Sequence, residues 1–516
     1  MAQRHGRHGG VVGETHLVPD VVLAIDAGTT GVTALLVDHE GRVLARGYRE
    51  ITQHYPQPGW VEHDEEEIWR ATLVAIEAAL SAAPNCRPVA IGLSNQRETM
   101  LFWDRLTGEP VHRAIVWQCR RSAAICEELR ASGIEDDVAR KTGLRLDPYF
   151  SGTKALWLRR EIPGLAARID AGNVRFGTID SWLAYRLTGG RAYATDVTNA
   201  CRTLAFDIER LDWDDDLLAL FGLNRDVVPE VGPSAGVRGQ TVAEGPVPAG
   251  LPLASLVGDQ QAALYGQCCF QPGLIKATYG TGCFVLLQTG ESIVRPGSGL
   301  LTSVAATTAP GDARYVVEGS IFVAGAAVQW CRDNLGIIGS ASEGEQLMRS
   351  VNDSGGVVFV PAFVGLGAPH WGPDVRGAIY GLTGATTNAH LVRAAMESMV
   401  FQVQDVLDVM KEEAGLAIRE LRVDGGAAAN DLLMQIQANL AGTPVSRPES
   451  IESTGIGAAF LAGLAVGFWR DEAELAGLRH ETARFEPKPD AVGPQHAYSR
   501  WQTAVRGLLG TQLAPI

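Results

Sequence analysis

Residues 21–38, Val21-Val22-Leu23-Ala24-Ile25-Asp26-Ala27-Gly28-Thr29-Thr30-Gly31-Val32-Thr33-Ala34-Leu35-Leu36-Val37-Asp38, set two apolar runs on either side of a glycine-bounded turn. Val21, Val22, Leu23 and Ile25 are strand formers, and two such runs joined so tightly predict a β-hairpin. Gly28 and Gly31 free the backbone at its tip, so that N–H groups and the Thr29 and Thr30 hydroxyls can wrap an anion such as a phosphate. Asp26, just before the turn, offers a carboxylate to a hydrated Mg²⁺. A plain hairpin that only needs glycine in its turn accounts for this segment equally well.

The pattern returns in the second half. Residues 274–288 run through Gly280-Thr281-Gly282 into Phe284, Val285, Leu286 and Leu287, and a third glycine turn follows at Asp424-Gly425-Gly426. Ala427, Ala428, Ala429 and Asn430 then open a helix-like stretch ending near Gly442, where small residues allow close approach to free N–H donors. Two hairpins and an Asp-Gly-Gly turn in this order resemble the actin-like ATPase superfamily. The resemblance implies an α/β fold of two duplicated ribonuclease H-like (actin-like ATPase) domains with a nucleotide cleft between them. No Gly-x-x-x-x-Gly-Lys-Ser/Thr loop is present, so the Walker route to ATP is absent. Among 59 glycines, chance Gly-x-Gly matches to a dinucleotide fingerprint carry little weight.

At 516 residues the chain exceeds one typical core. We expect a disordered tail over 1–19, a first domain over 20–271, a second over 272–500 and a C-terminal tail over 501–516, with the hinge at Gln271-Pro272-Gly273. The formal charge of −15 argues against a nucleic-acid partner. Eight cysteines without zinc or disulfide spacing read as free thiols in a reducing cytoplasm. No window approaches membrane-spanning length, and the opening residues lack the apolar core of a signal peptide.

Asp64 and Glu67 predict a capped helix over 65–83, and Val89 to Leu93 read as a buried strand that delivers Ser94-Asn95-Gln96-Arg97-Glu98 at its carboxyl end, where open α/β sheets place ligands. Helical stretches are expected near 119–130, 154–160 and 180–187. Leu253 to Val257 read as another strand, ending in Gly258-Asp259-Gln260-Gln261, with a helix from Ala262 to Cys268. Met396, Met399, Val403, Val406 and Met410 form the core stripe of a long helix, and 454–469 a small-residue helix.

Several runs narrow the resemblance. Asn95-Gln96-Arg97-Glu98-Thr99, Ile115-Val116-Trp117-Gln118-Cys119-Arg120-Arg121, Asp147-Pro148-Tyr149-Phe150-Ser151-Gly152-Thr153-Lys154, Gly258-Asp259-Gln260-Gln261-Ala262-Ala263-Leu264 and Gly280-Thr281-Gly282-Cys283-Phe284 are similar to those of the glycerol kinases, within the FGGY carbohydrate kinases. Gly365-Leu366-Gly367-Ala368-Pro369 and Val423-Asp424-Gly425-Gly426 continue the series in order, over roughly residues 20–500. This resemblance implies an ATP:glycerol 3-phosphotransferase. Arg97 and Glu98 would hydrogen-bond glycerol hydroxyls, Tyr149 would add a polar contact, and Trp117 with Phe284 would cover the carbon chain. Asp259 would be the base that accepts the hydroxyl proton, with Gln260 orienting the substrate. An ionised Asp259 at a helix start is expected to need no raised pKa, because a loose phosphoryl-transfer transition state loses its proton late. Thr29, Thr30, Gly31 and Thr281 would hold phosphates, Gly325, Gln329, Gly426 and Asn430 would border the nucleotide, and Asp26 would support Mg²⁺. Relatives of this kind often form homodimers or homotetramers.

The chain departs from that pattern in two places. Many glycerol kinases carry an arginine where Thr33 stands, and the fructose-bisphosphate loop of relatives is here Ala243-Glu244-Gly245-Pro246-Val247-Pro248-Ala249-Gly250, without arginine. The histidine that some relatives use for phosphotransfer-system activation is also missing. Two competing expectations are a kinase of a pentulose, tetritol or gluconate, and an ATPase module with no small acceptor.

Overall fold

The computed structural model describes residues 18–488 and 492–510. The first hairpin forms as expected from Asp20–Ala27 and Gly31–Val37, and the second from Leu274–Tyr279 and Cys283–Gly290. Each seeds a mixed sheet. The first sheet runs, edge to edge, Ala235–Gln240, Pro252–Gly258, Arg87–Asn95, Asp20–Ala27, Gly31–Val37 and Val43–Glu50. The second runs Leu301–Val304, Tyr315–Ile321, Cys283–Gly290, Leu274–Tyr279, Glu420–Asp424, Val445–Pro448 and Glu481–Phe485.

In both sheets the hairpin's first strand pairs antiparallel with its second, while two parallel strands lie on its other side. A third strand extends each hairpin antiparallel. The same five-strand order in two halves is the duplication that the paired hairpins predict. Parallel strands ending together place Asn95, Gly258 and Asp424 at sheet ends, where the following turns carry the candidate residues.

Three expectations change. The helix after Gly258 starts at once, as Asp259–Gly266, so Asp259 is its first residue. The small-residue helix, Ser453–Val466, belongs by position to the second domain, yet Ile456, Ala458, Phe460 and Leu461 pack with Val22, Ala24, Leu35 and Ala90 of the first sheet. The span 272–500 is therefore not one packing unit. The expected tail from 501 instead lies within a helix, Val492–Leu509, in which Trp501 is fully buried and its Nε1 donates to Asp405 at 2.8 Å. The expected tail over 1–19 falls, up to residue 17, outside the described residues, as do 511–516. Among the described residues no helix is long and apolar enough to cross a membrane.

Candidate active site

The strand Arg87–Asn95 ends in a turn whose residue Glu98 has a φ of 61°, a left-handed conformation that costs a non-glycine residue roughly 1–2 kcal/mol. Ser151 braces the turn by donating its hydroxyl to the Glu98 carbonyl at 2.9 Å. The result is a pair of opposite charges, Arg97 and Glu98, side by side and almost wholly buried. Arg97 donates through both Nη atoms to the two oxygens of Glu318, each at 2.7 Å, and its Nε lies 3.2 Å from Oδ1 of Asp259. Arg202 donates from Nε to Glu98 at 2.6 Å.

Asp259 is turned toward open space, with 26% of its side chain exposed, and its Oδ1 accepts the Gln260 N–H at 2.7 Å. Burial raises its pKa above the ordinary carboxylate value, against the opposing charge of Arg97. This corrects the expectation of an unshifted acid: the helix start supplies less stabilisation than desolvation removes. Lys276 donates to Oε1 of Gln260 at 2.6 Å, which leaves the Gln260 amide nitrogen as the group able to face a ligand.

An aromatic wall closes this end. The Trp117 ring meets Tyr149 edge-on at 5.5 Å and Phe284 at 6.1 Å. Its Nε1 donates to the Thr29 hydroxyl at 2.9 Å, so the wall touches the tip of the first hairpin. A carboxylate, an arginine and an apolar wall thus lie beside the loop expected to bind phosphate.

At that loop, Thr29 is half-buried, Thr30 is exposed, and Gly31 is buried with its carbonyl accepting the Gly28 N–H at 3.0 Å. Thr281 is exposed at the second tip, and Gly325 donates to the Gly280 carbonyl at 2.9 Å. Gln329 and Gly426 are also exposed. Asn430 is different: it caps the helix Asp431–Ala441 through Leu433 N–H at 3.1 Å, and its amide nitrogen lies 3.7 and 3.9 Å from the sulfurs of Met348 and Met396. It shapes the turn from beneath. Thr33 lies buried in its strand opposite Asp26.

Asp26 is pushed up to about 7, first by burial and then by the charges of Asp259 and Glu452. Its Oδ1 is buried with no hydrogen-bond partner. Among the described residues no group of three or more His, Cys, Asp or Glu could hold a metal ion. One orphaned carboxylate oxygen fits a cation such as Mg²⁺ that keeps water and phosphate oxygens as its other ligands.

Three buried charges at this site escaped the sequence reading: Glu318, Arg202 and Lys276. Their signal was a lone charge within an apolar run, as in Val316-Val317-Glu318-Gly319 and Leu274-Ile275-Lys276-Ala277.

The model of the FGGY family of carbohydrate kinases, N-terminal domain, matches residues 21–266, and that of the C-terminal domain matches residues 275–466. A glycerol kinase of Carboxydothermus hydrogenoformans is 50% identical over 94% of this chain and 97% of its own length. Glycerol kinase 2 of Thermotoga maritima is 49% identical over 95% and 99%. Among solved structures, Plasmodium falciparum glycerol kinase with ADP superposes with a TM-score of 0.89 at 36% identity, over 96% of this chain and 99% of that one. A xylulose kinase from Lactobacillus acidophilus shares the fold at a TM-score of 0.85 and 20% identity, covering 95% and 99%.

Proposed function

This chain belongs to the FGGY family of carbohydrate kinases, and on that footing we propose that it transfers the γ-phosphoryl group of MgATP in line to a terminal hydroxyl of glycerol, giving sn-glycerol 3-phosphate and ADP. The convergence of Arg97, Glu98 and Asp259 beneath the wall of Trp117, Tyr149 and Phe284 carries this reading. A three-carbon triol needs fixed donors and acceptors on one side and an apolar cover on the other.

Arg97 donates to, and Glu98 accepts from, the hydroxyls that do not react. Asp259 receives the proton of the attacking hydroxyl as the oxygen bonds to phosphorus and the bond to ADP breaks, then returns it to solvent. Burial raises its pKa above the ordinary carboxylate value, which makes it a better proton acceptor than an exposed carboxylate. Gln260 offers an amide N–H that orients the alcohol. Thr29, Thr30, Gly31 and Thr281 line the phosphates, and Gly325, Gln329 and Gly426 border the nucleotide, with Asn430 shaping the turn beneath them. Held through Asp26, Mg²⁺ would neutralise charge on the phosphate oxygens. Closure of the cleft keeps water, the competing acceptor, away. We further expect a homodimer or homotetramer. The eight unpaired cysteines, seven of them buried, suit a reducing cytoplasm.

A cavity of about 870 Å³ beyond Trp117 and Tyr149 favours one rival, a kinase of a larger alcohol. Coupled ADP release with glycerol, dihydroxyacetone, erythritol, xylulose and no added acceptor separates the readings. We expect glycerol to give the highest kcat/KM. Preference for xylulose or erythritol would support the rival, and equal rates without any acceptor would point to an ATPase module.

A further inference from the structure

The acceptor end of the cleft is held from the far domain. Glu318 stands on the strand Tyr315–Ile321 of the second sheet, fully buried, opposite Leu286 and Leu301. Its two oxygens occupy both Nη atoms of Arg97, each at 2.7 Å. It also accepts the Ser320 hydroxyl at 3.3 Å and lies 3.5 Å from Nη1 of Arg202. Arg202 is itself fixed by Ser303 of the second sheet at 2.9 Å and donates to Glu98 at 2.6 Å. Both side chains read as glycerol contacts are thus fastened by second-domain residues, Arg97 directly and Glu98 through Arg202.

The detail that gives this arrangement a purpose is the one guanidinium nitrogen without a partner, since Nη1 donates to Gln261 at 3.0 Å as well as to Glu318. Arg97 Nε is buried without a hydrogen-bond partner, although Oδ1 of Asp259 is 3.2 Å away. A guanidinium has five donors in a rigid plane, so seizing its two Nη atoms fixes where Nε–H points. Released from Glu318, the same fork could close on Asp259 as a bidentate pair, covering the base and filling the acceptor space.

We propose that Glu318 is a positioning residue for the acceptor pocket: it holds the Arg97 fork so that Nε–H faces the incoming alcohol and Asp259 stays uncovered. The proposal rests on the reading that Arg97 meets the acceptor. It assigns part of the selectivity for the alcohol to the C-terminal domain, although the residues that touch the alcohol stand mostly on the N-terminal one.

Steady-state kinetics of the full chain with Glu318→Gln, Glu318→Asp, Arg97→Gln and the double variant Arg97→Gln/Glu318→Gln test this. In Glu318→Gln the glycerol KM is expected to rise about tenfold or more, with the ATP KM within about twofold of the parent. Glu318→Asp, which keeps the charge at shorter reach, is expected to fall between the two. Because Glu318 acts through Arg97, adding Glu318→Gln to Arg97→Gln is expected to raise the glycerol KM little further. An unchanged glycerol KM in Glu318→Gln, or an equally large further rise in the double variant, overturns the proposal. If Glu318→Gln does not fold, an unchanged glycerol KM in folded Glu318→Asp overturns it instead. An unchanged glycerol KM in Arg97→Gln overturns the acceptor reading itself, which separates the two failures.

Discussion

Asp26 and Asp259 are two carboxylates in one cleft, each raised by burial, and the charge of Asp259 adds to the rise at Asp26. For Asp26 the folded value of about 7 lies above the unfolded 3.8, so the native state binds the extra proton between them. Stability from this group is full below pH 3.8 and lost as pH rises through 7. Above neutrality the loss is roughly 2 to 4 kcal/mol, reduced by the solvated cleft face. Asp26→Asn is therefore expected to raise the thermal midpoint of the ligand-free protein at pH 8, to have no such effect near pH 3.5, and to lower turnover. Melting curves of both proteins at the two pH values check the sign. Asp259→Asn is expected to lower kcat by about 10²- to 10⁴-fold with the glycerol KM near the parent's. A kcat within a few-fold of the parent would remove Asp259 from the role of base. Its raised pKa also places the acid limb of kcat above the ordinary carboxylate value, which a pH–rate profile reads. That Arg97, Glu98 and Asp259 stand together at strand ends was legible because each lies in a contiguous run after an apolar strand. Glu318 was not, since its partner Arg97 is 221 residues away and only folding brings the two sheets together.

Elements were legible where their logic is local. Both hairpins, the Asp64-capped helix Glu65–Ala82 and the Asn430-capped helix Asp431–Ala441 follow from turn and cap residues next to them. The helix Ser453–Val466 announced its burial, being apolar on every side, but not the sheet that receives it. What fixes it is contact with the helix Asp259–Gly266. A Cβ on Gly457 would sit 1.8 Å from the Ala262 carbonyl, and one on Gly266 would sit 2.0 Å from that of Ser453. The two backbones touch, and no side chain fits between them. Gly457→Ala is accordingly expected to cost about 2–3 kcal/mol or more in urea unfolding. Because the displaced helix begins at Asp259, kcat should fall in the same variant even under conditions where it is fully folded. The C-terminal helix was missed for another reason: Trp501, Val505 and Leu508 carry a helical apolar stripe, but a short stripe near a chain end does not reveal that Asp405 waits to accept the Trp501 N–H.

Across the whole molecule, the links between the two sheets gather at the floor of the cleft. Arg97 binds Glu318 at 2.7 Å, Lys276 binds Gln260 at 2.6 Å, and Gln267 donates to Asp424 at 3.1 Å while its own carbonyl accepts from Arg422 at 2.6 Å. Separating the buried Arg97–Glu318 pair gives up two charge-assisted hydrogen bonds, a loss that a working cycle has no reason to incur at each turnover. We therefore expect any opening to pivot on this floor, with the exposed tips carrying Thr30 and Thr281 moving most. Hydrogen exchange distinguishes this motion from a general loosening. Amides of the helix Asp259–Gly266 are expected to exchange slowly with or without ligands, because their hydrogen bonds lie beneath the pivot. Amides at 28–31, 280–282 and 325–329 are expected to exchange fast in the free protein and to gain protection with glycerol and a non-hydrolysable ATP analogue together. Fast exchange along Asp259–Gly266 in the free protein would mean that the floor itself opens. The Arg97–Glu318 pair would then break in each cycle, and the acceptor pocket would have to be rebuilt every time the cleft closed.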